Sequence, residues 1–522
     1  MANKGFVTFW QNIKDLKNSF IGSFHRFKRL PHSDRERSQA VFRNFFLHIH
    51  SVRIHKFSLK PSYTLGLGLI TLFLFIILCV TGILLMVYYK PSVDQAYDTV
   101  KDISFVVGAG KYMRNMHRWA AHGMVLAMFL HMARVFYTGS YKGPRKFNWV
   151  IGMGLFVVTL MLSFSGYLLP WDQLAYWAIT IGANIAGSPA ELTDALGITG
   201  SFDPGGTIKH MLIGGNIIGQ EALIRFYLLH VIVLPLLGLV LIGVHFWRIR
   251  KDGGLSRPGN ADEIVMKEEG IPPEKIAQQK GNFNLNPTKT YGLMELVKGR
   301  GKFPHLNRGP DQTIMTWPTG IWAEVAVFML TMAVIMVLSY FFNAPLKEIA
   351  NPAIPENPAK APWYFLGLQE LVSYSAFMGG VGIPSTVVLG LLLIPYLDRE
   401  EKFIGIWFSG KEGKGIALKS FIFAVLFIVL LLAFTVKFGW LRNWFPTISQ
   451  LVIIFVNPGT VIVSVFALWS LFMLKRTGST RMAAIALFTC FLVGFALLTV
   501  MGLHFRGPNW DFFWSPSQWP VH

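Results

Sequence analysis

Two histidines, His117 and His131, lie fourteen residues apart in one apolar stretch of the chain. In an α-helix this spacing places both side chains on nearly one face, ~21 Å apart along the axis. A second apolar stretch contains His230 and His245, fifteen residues apart, so the axial separation is close to ~22 Å. Two such helices side by side present two His–His pairs, the ligation that a six-coordinate haem iron needs. The spacing therefore predicts two stacked b-type haems.

A single histidine in an apolar helix is more often a packing or hydrogen-bonding residue than a ligand. Four histidines in two helices at matching spacing favour ligation, because polar residues inside a membrane are costly and usually functional. His122 gives the contrast, since it points ~140° away from His117 and has no counterpart in the second stretch. We interpret His122 as a packing or hydrogen-bonding residue.

Composition indicates an all-α polytopic membrane protein. The 522 residues are 52% hydrophobic and only 15% charged, which excludes an ordinary soluble enzyme. The net charge of +20 is better explained by basic cytoplasmic loops than by nucleic-acid binding. Cys79 and Cys490 both lie in apolar segments, which argues against a disulfide framework and against a thiolate metal cluster.

Hydropathy predicts nine spanning helices, a four-helix dihaem bundle followed by five more. The eighth, over 451–473, contains Asn457-Pro458-Gly459 as a predicted kink. We divide the chain into a basic amphipathic segment (1–60), the dihaem domain (61–250), a cytoplasmic linker (251–316), a three-helix quinol-pocket domain (317–437), two additional spanning helices (438–503) and an aromatic tail (504–522).

Glycines repeat the histidine spacing. Gly68 and Gly82 lie fourteen residues apart in the first predicted span, and Gly152 and Gly166 lie fourteen apart in the third. Glycine weakens a helix, so paired glycines at the haem spacing indicate macrocycles pressed against bare backbone. The alternative is small-residue packing between membrane helices, which is common. Two matching pairs favour the haem interpretation.

With these motifs in view, the chain resembles cytochrome b of the quinol-oxidising bc and bf complexes. The fifteen-residue interval from His230 to His245 and the Trp171-Asp172-Gln173 triplet are closer to the bf type. The resemblance covers residues 60–250 strongly and 310–400 more loosely. It rests on His117 preceded by Arg114, His131 followed by Arg134 and Thr138-Gly139-Ser140-Tyr141, Gly166-Tyr167-Leu168-Leu169-Pro170-Trp171-Asp172-Gln173, and Arg225-Phe226-Tyr227 before His230 and Pro235.

The resemblance implies that His117 and His230 hold an outer haem, and that His131 and His245 hold an inner one. It further implies a Rieske iron–sulfur protein and a cytochrome c as partners, a dimer of complexes, and a quinone as substrate. Arg114, Arg134 and Arg225 lie beside ligands at levels suited to haem propionates, although such arginines also serve as interfacial side chains. No cysteine precedes Gly68, so the covalent extra haem of the bf type is not expected.

Loop charge predicts the orientation in the cell membrane. The loop from Asp172 to Glu221 has one basic residue, Lys209, and five acids, whereas Arg248 to Trp317 carries twelve Lys and Arg. Residues 1–60 carry twelve basic residues against three acids. The positive-inside rule then places the first loop in the periplasm and the N-terminus in the cytoplasm. Nine crossings leave the C-terminus in the periplasm.

The outer quinol pocket shows one departure from the family pattern. Pro362-Trp363-Tyr364 resembles the end of the family's Pro-Glu-Trp-Tyr loop, but Ala361-Pro362 stands where Pro-Glu is expected. Quinol oxidation releases protons, so a group with a tunable pKa should lie nearby. We select Glu370 as the first candidate and Asp172 as the second, with Tyr364 lining the pocket; for Glu370 the alternative is a solvated loop acid.

Two other functions stay open. One is a dihaem membrane anchor that passes electrons between the quinone pool and a dehydrogenase or reductase without splitting the two electrons of a quinol. The other is a transporter whose intramembrane histidines relay protons. A b-type haem absorption band would distinguish a cytochrome from the transporter.

Overall fold

The computed structural model describes residues 2–24, 31–44, 47–272 and 312–520. Within these ranges nine helices are long and apolar enough to cross a membrane, which agrees with the predicted all-α, polytopic fold. We name them spans 1 to 9. In chain order their bounds are Leu67–Tyr88, Gly110–Tyr137, Gly143–Tyr167, Gln220–Lys251, Thr316–Phe341, Met378–Leu397, Lys411–Trp444, Pro458–Thr477 and Thr480–Phe505.

Shorter helices connect the spans. The predicted periplasmic loop between spans 3 and 4 contains three of them, and Trp363–Tyr374 precedes span 6. The helices between spans are Ala96–Phe105, Gln173–Gly187, Pro189–Ala195, Pro204–Ile213, Ala261–Glu268, Trp363–Tyr374 and Gln450–Phe455, and span 1 is preceded by Ala2–Phe24, Asp34–Arg43 and Pro61–Thr64. Span 1 packs along span 2, and span 4 packs along span 3.

The described residues form two compact units. The first contains 1–63 and 262–326, and the second contains 64–261 and 327–522. In the first unit, strand β1 (Arg53–His55) pairs antiparallel with strand β2 (Thr313–Met315), and His55 Nε2 lies 2.8 Å from Asp262 Oδ1. These units do not test the domain boundaries predicted from the sequence. Residues 273–311 of the predicted linker lie outside the described residues.

Span 4 contains a π-helical turn at Leu229–Val233, and His230 lies within it. A π turn inserts one extra residue into an α-helix and is frequent at functional sites. The insertion compensates for the fifteen-residue interval from His230 to His245, which would otherwise be out of phase with the fourteen-residue interval in span 2. Both helices therefore present their histidines with nearly the same periodicity.

The predicted kink in the eighth span is a break between two helices, which corrects the prediction. One helix ends at Phe455 and the next begins at Pro458. Asn457 caps the second helix, because its Oδ1 accepts the Thr460 amide at 3.0 Å. An asparagine cap followed by proline at the first helical position is a strong start signal, and it overrides the continuous apolar pattern.

A buried charge cluster attaches span 9 to the end of span 2 and to the loop that follows it. The Arg481 side chain is 1% exposed and donates to Tyr141 Oη at 2.9 Å and to the Phe136 carbonyl at 2.8 Å. Asp398 lies 3.6 Å from Arg481 and 3.0 Å from Lys142 Nζ. Buried charges are stable only when they are paired in this way, so the cluster fixes the C-terminal spans on the bundle.

Candidate functional site

His117 of span 2 and His230 of span 4 face each other across the bundle. Their ring centres are 6.2 Å apart and the ring planes are inclined by 76°. A metal–imidazole bond is about 2 Å long and a ring nitrogen lies about 1 Å from its ring centre, so two imidazoles on one ion have centres roughly 6 Å apart. The separation fits a single ion between the two rings.

Two hydroxyls determine which nitrogen of each outer ring faces inward. Thr81 Oγ1 lies 2.9 Å from His117 Nδ1, and Ser165 Oγ lies 3.1 Å from His230 Nδ1. Each hydroxyl donates its own proton to a carbonyl in its helix, Ile77 for Thr81 and Met161 for Ser165. The hydroxyl oxygens must therefore accept from Nδ1–H, which leaves the lone pair on Nε2 for a metal.

Thr81→Val should weaken haem retention at the outer pair. The substitution preserves shape but removes the acceptor for His117 Nδ1–H, and loss of such a partner typically lowers metal affinity roughly 10- to 100-fold. Thr71→Val is the matched control, because the Thr71 hydroxyl is bound to the Gly68 carbonyl of the same span at 2.8 Å. Haem occupancy of the purified protein is the measurement, and equal occupancy in both variants would contradict the prediction.

The inner histidines lie deeper along the same two helices. His131 and His245 are close enough to interact electrostatically. Neither ring has a hydroxyl partner among the described residues, and His245 Nδ1 is buried without a hydrogen bond of good geometry. The inner pair thus has fewer orienting contacts than the outer pair.

Each of the four predicted glycines lies against one histidine. A Cβ at Gly82 would approach His117 Cε1 to 3.2 Å, and one at Gly68 would approach His131 Cε1 to 3.2 Å. In span 3, a Cβ at Gly166 would lie 2.5 Å from His230 Cε1, whereas one at Gly152 would lie 3.7 Å from His245 Cε1. The bare backbone therefore makes room for imidazole rings, which explains why the glycines share the histidine spacing.

The three predicted arginines have different surroundings. Arg114 donates to the Ala344 carbonyl at 2.9 Å and to the Pro345 carbonyl at 2.5 Å. Arg225 donates to the Met211 carbonyl, and Arg134 is 6% exposed. Arg114 and Arg225 thus hold connecting segments beside the outer end of the bundle.

Sequence reasoning missed Arg118, which follows His117 directly. Its guanidinium is half-buried and, within the described residues, has no carboxylate at ion-pair distance. It interacts electrostatically with Asp172 and Tyr364. An arginine next to a ligand histidine is a usable sequence signal for an anionic group, because guanidinium pairs well with carboxylates.

Glu370 is a buried ion-pair partner. Its side chain is fully buried, and Arg506 donates to it at 2.5 and 2.9 Å. Tyr374 Oη donates at 2.7 Å and the Trp510 indole at 2.8 Å. Burial alone would lower the pKa of Arg506, but the hydrogen bond and charge of Glu370 raise it. Glu370 is therefore not a solvated loop acid. Its contacts connect the C-terminal tail to helix Trp363–Tyr374.

Glu370→Gln should destabilise the fold. Removing one charge from a buried pair leaves Arg506 uncompensated, which lowers the free energy of unfolding by about 3 kcal/mol or more. Glu356→Gln is the control, because Glu356 pairs with the half-exposed Lys347 at 3.2 Å, and such pairs contribute about 1 kcal/mol or less. Thermal unfolding in detergent measures both variants, and a Glu370→Gln protein as stable as wild type would refute the assignment.

The Asp172 carboxylate accepts hydrogen bonds from two backbone amides. Its Oδ1 accepts the Ala175 amide at 2.9 Å as the cap of helix Gln173–Gly187, and its Oδ2 accepts the Lys347 amide at 3.0 Å. Burial raises the pKa of Asp172, and the two amide hydrogen bonds oppose that rise. Asp172 therefore joins the start of this helix to the segment after span 5.

Tyr364 and its neighbours form an aromatic group around His122. Tyr364 is 7% exposed, and burial raises its pKa to about 12. Its ring centre lies 5.8 Å from that of His122, and the Trp363 indole donates to His122 Nδ1 at 3.1 Å. The prediction that His122 is a packing or hydrogen-bonding residue is confirmed.

The fold is that of a helical membrane protein in which histidines of two spans face each other at a distance that a single metal ion could bridge. The family model described as cytochrome b/b6/petB matches residues 55–253. Cytochrome b6 of Heliobacterium mobile is 46% identical over 197 residues, 37% of this chain and 87% of that protein. Cytochrome b6 of Acaryochloris marina is 42% identical over 187 residues, 36% of this chain and 81% of that protein.

The chain belongs to the cytochrome b/b6 family, and the family implies binding of haem b. A solved structure described as a hyperthermophilic respiratory Complex III has a similar fold, with a TM-score of 0.55 at 22% identity. That similarity covers 93% of this chain and 98% of the solved chain. The shared fold therefore extends beyond the first four spans.

Proposed function

We propose that this protein is the dihaem cytochrome b subunit of a quinol oxidoreductase. It carries electrons from an outer quinol-oxidation site through two b haems to an inner quinone site, and so contributes to proton translocation. The observation that supports this most strongly is the outer pair. His117 and His230 face each other at 6.2 Å, and both rings have Nδ1 protonated and Nε2 available.

In this proposal His117 and His230 ligate the outer haem, and His131 and His245 the inner one. The haem supplies reversible one-electron storage when bound. The chain orients the outer rings through Thr81 and Ser165 and leaves room for all four rings at the glycines. Arg118 is the arginine best suited to a carboxylate of the outer haem, because Arg114 and Arg225 already bind backbone carbonyls, and Arg134 lies three residues after His131.

The outer quinol pocket lies around Tyr364. The buried phenol and the neighbouring aromatic rings provide an apolar wall for a quinol ring. Glu370 binds Arg506 of the C-terminal tail, and Asp172 accepts from the Ala175 and Lys347 amides, so each carboxylate fixes segments that border this region. We therefore assign them as positioning residues.

The partners follow from the family resemblance. A Rieske iron–sulfur protein would take one electron of the quinol and a cytochrome c would oxidise it in turn, within a dimer of complexes in the cell membrane. Loop charge supports a cytoplasmic N-terminus and a periplasmic C-terminus. The haems are held without covalent attachment.

One observation favours a second candidate, the dihaem anchor of a dehydrogenase or reductase. Pro362 stands where the family's quinol pocket has a carboxylate. An anchor that does not split electrons at an outer pocket would not need that group.

A pulse of oxidant distinguishes the candidates. Membranes containing the complex are first tested for two b-type haems in a reduced-minus-oxidised spectrum, whose absence would remove the cytochrome proposal. Quinol and an inhibitor of the inner quinone site are then added, followed by a pulse of oxidant to the high-potential acceptor. If the electrons of quinol are split, the pulse transiently reduces b haem. In an anchor the pulse only oxidises haem.

A further inference from the structure

We infer that His122 accepts a proton from quinol at the outer pocket, in place of the carboxylate missing at position 362. This inference rests on the proposed function. His122 lies on span 2 and contacts the segment that begins with Trp363, the residue directly after Pro362. The imidazole is only partly buried, whereas Tyr364 beside it is buried.

The hydrogen bond from Trp363 defines the protonation of the ring. An indole N–H can only donate, so His122 Nδ1 must accept and carries the lone pair. The neutral ring then has its proton on Nε2. His122 therefore presents a basic nitrogen to the Trp363–Tyr364 segment, and a phenolic hydroxyl of quinol is a donor of the same kind as the indole.

The nearby carboxylates are already engaged. Glu370 accepts from Arg506, Tyr374 and Trp510, and Asp172 accepts from two backbone amides. The Arg506 charge favours the ionised form of Glu370, and the two amide hydrogen bonds favour the ionised form of Asp172, although burial raises the pKa of Asp172. The titratable or charged groups that interact with His122 are Arg118 on its own span and Tyr364 on the facing segment.

A quinol hydroxyl replaces the Trp363 N–H at His122 Nδ1, the O–H bond breaks, and the proton passes to Nδ1 to give an imidazolium. Complete oxidation of one quinol releases two protons and two electrons. His122 accepts one of the protons and water on the periplasmic side takes the other, while the two electrons would leave one at a time, one to the external one-electron acceptor and one to the haem that His117 and His230 would hold. The imidazolium then returns its proton to the periplasmic water and the Trp363 hydrogen bond forms again.

Two substitutions separate proton transfer from a structural role. His122→Asn retains an acceptor for the Trp363 N–H but has no basic nitrogen, and His122→Ala has neither. Loss of a general base typically lowers a rate by about 100-fold or more. We expect both variants to lose about that much quinol-dependent reductase activity in membranes, with both b haems retained in the spectrum. His504→Asn, an exposed histidine on the predicted periplasmic side, should keep the wild-type rate.

Restoring the family's carboxylate provides the second test. Pro362→Glu in the His122→Asn background should recover at least roughly a tenth of the wild-type rate, because a new base replaces the lost one. A double variant as slow as His122→Asn would count against transfer of the quinol proton to a base at this place.

Three results would overturn the inference. A His122→Asn protein with the wild-type rate and pH profile would exclude proton transfer by His122. A slow His122→Ala protein beside a normal His122→Asn protein would assign a purely structural role. If wild-type membranes with two b haems show no quinol oxidation at all, the proposed function itself fails, and that result is distinguishable from the other two.

Discussion

Gly166→Ala should release the outer haem, whereas Gly152→Ala should leave both haems in place. The two glycines lie fourteen residues apart in span 3 and each faces a histidine of span 4. A methyl group at position 166 would lie 2.5 Å from His230 Cε1, too close for any real contact, and would push the ring away. At position 152 the distance to His245 Cε1 is 3.7 Å, an ordinary van der Waals contact.

The measurement is the haem content and the reduced-minus-oxidised spectrum of each purified variant. We expect about one haem per chain for Gly166→Ala and two for Gly152→Ala. Alanine is a better helix former than glycine, so span 3 should remain helical in both, and the retained inner haem reports that the bundle has assembled. Two intact haems in Gly166→Ala would show that the His230 ring does not need this space.

Removing one ligand from each pair should remove one haem at a time. His117→Leu should eliminate the outer haem, and His131→Leu the inner one, because a six-coordinate iron loses half of its protein ligands in each case. In the proposed function, electrons from the outer quinol pocket pass first to the outer haem, so His117→Leu should also abolish quinol-driven reduction of the remaining haem when the inner quinone site is inhibited. In His131→Leu the outer haem should still be reduced.

Spectra of dithionite-reduced and quinol-reduced membranes measure these effects. His504→Leu serves as the control for loss of an exposed histidine. The loss of both haems in His131→Leu, or fast quinol reduction of the inner haem in His117→Leu, would contradict two independent sites arranged in series.

Much of the fold was predictable because membrane spans are local features. Each spanning helix needs about twenty consecutive apolar residues, so hydropathy predicted the nine spans that the described residues contain. The histidine and glycine spacings were equally visible, because helix periodicity converts sequence distance into position along an axis. The eighth span was placed seven residues too early at its start, since the cap at Asn457 interrupts a continuous apolar pattern.

The candidate site was less predictable, because contacts between distant segments leave little local signal. From the sequence, the tail after span 9 was recognisable only as an aromatic segment. In the structure Arg506 and Trp510 bind Glu370, a residue more than a hundred positions earlier in the chain. The role of His122 is similar, because its partner Trp363 lies 241 residues away.

By itself, the sequence determined that the chain spans a membrane as helices and carries four histidines at two depths. Composition and periodicity act within single helices, so they suffice for those conclusions. Only the tertiary structure decided how the helices meet: the π turn that brings His230 into phase, the glycine that faces each ring, and the burial of Glu370 against Arg506. The physical reason is that packing and hydrogen bonding between segments depend on which surfaces come together in space, and many residue pairs can satisfy the same local pattern.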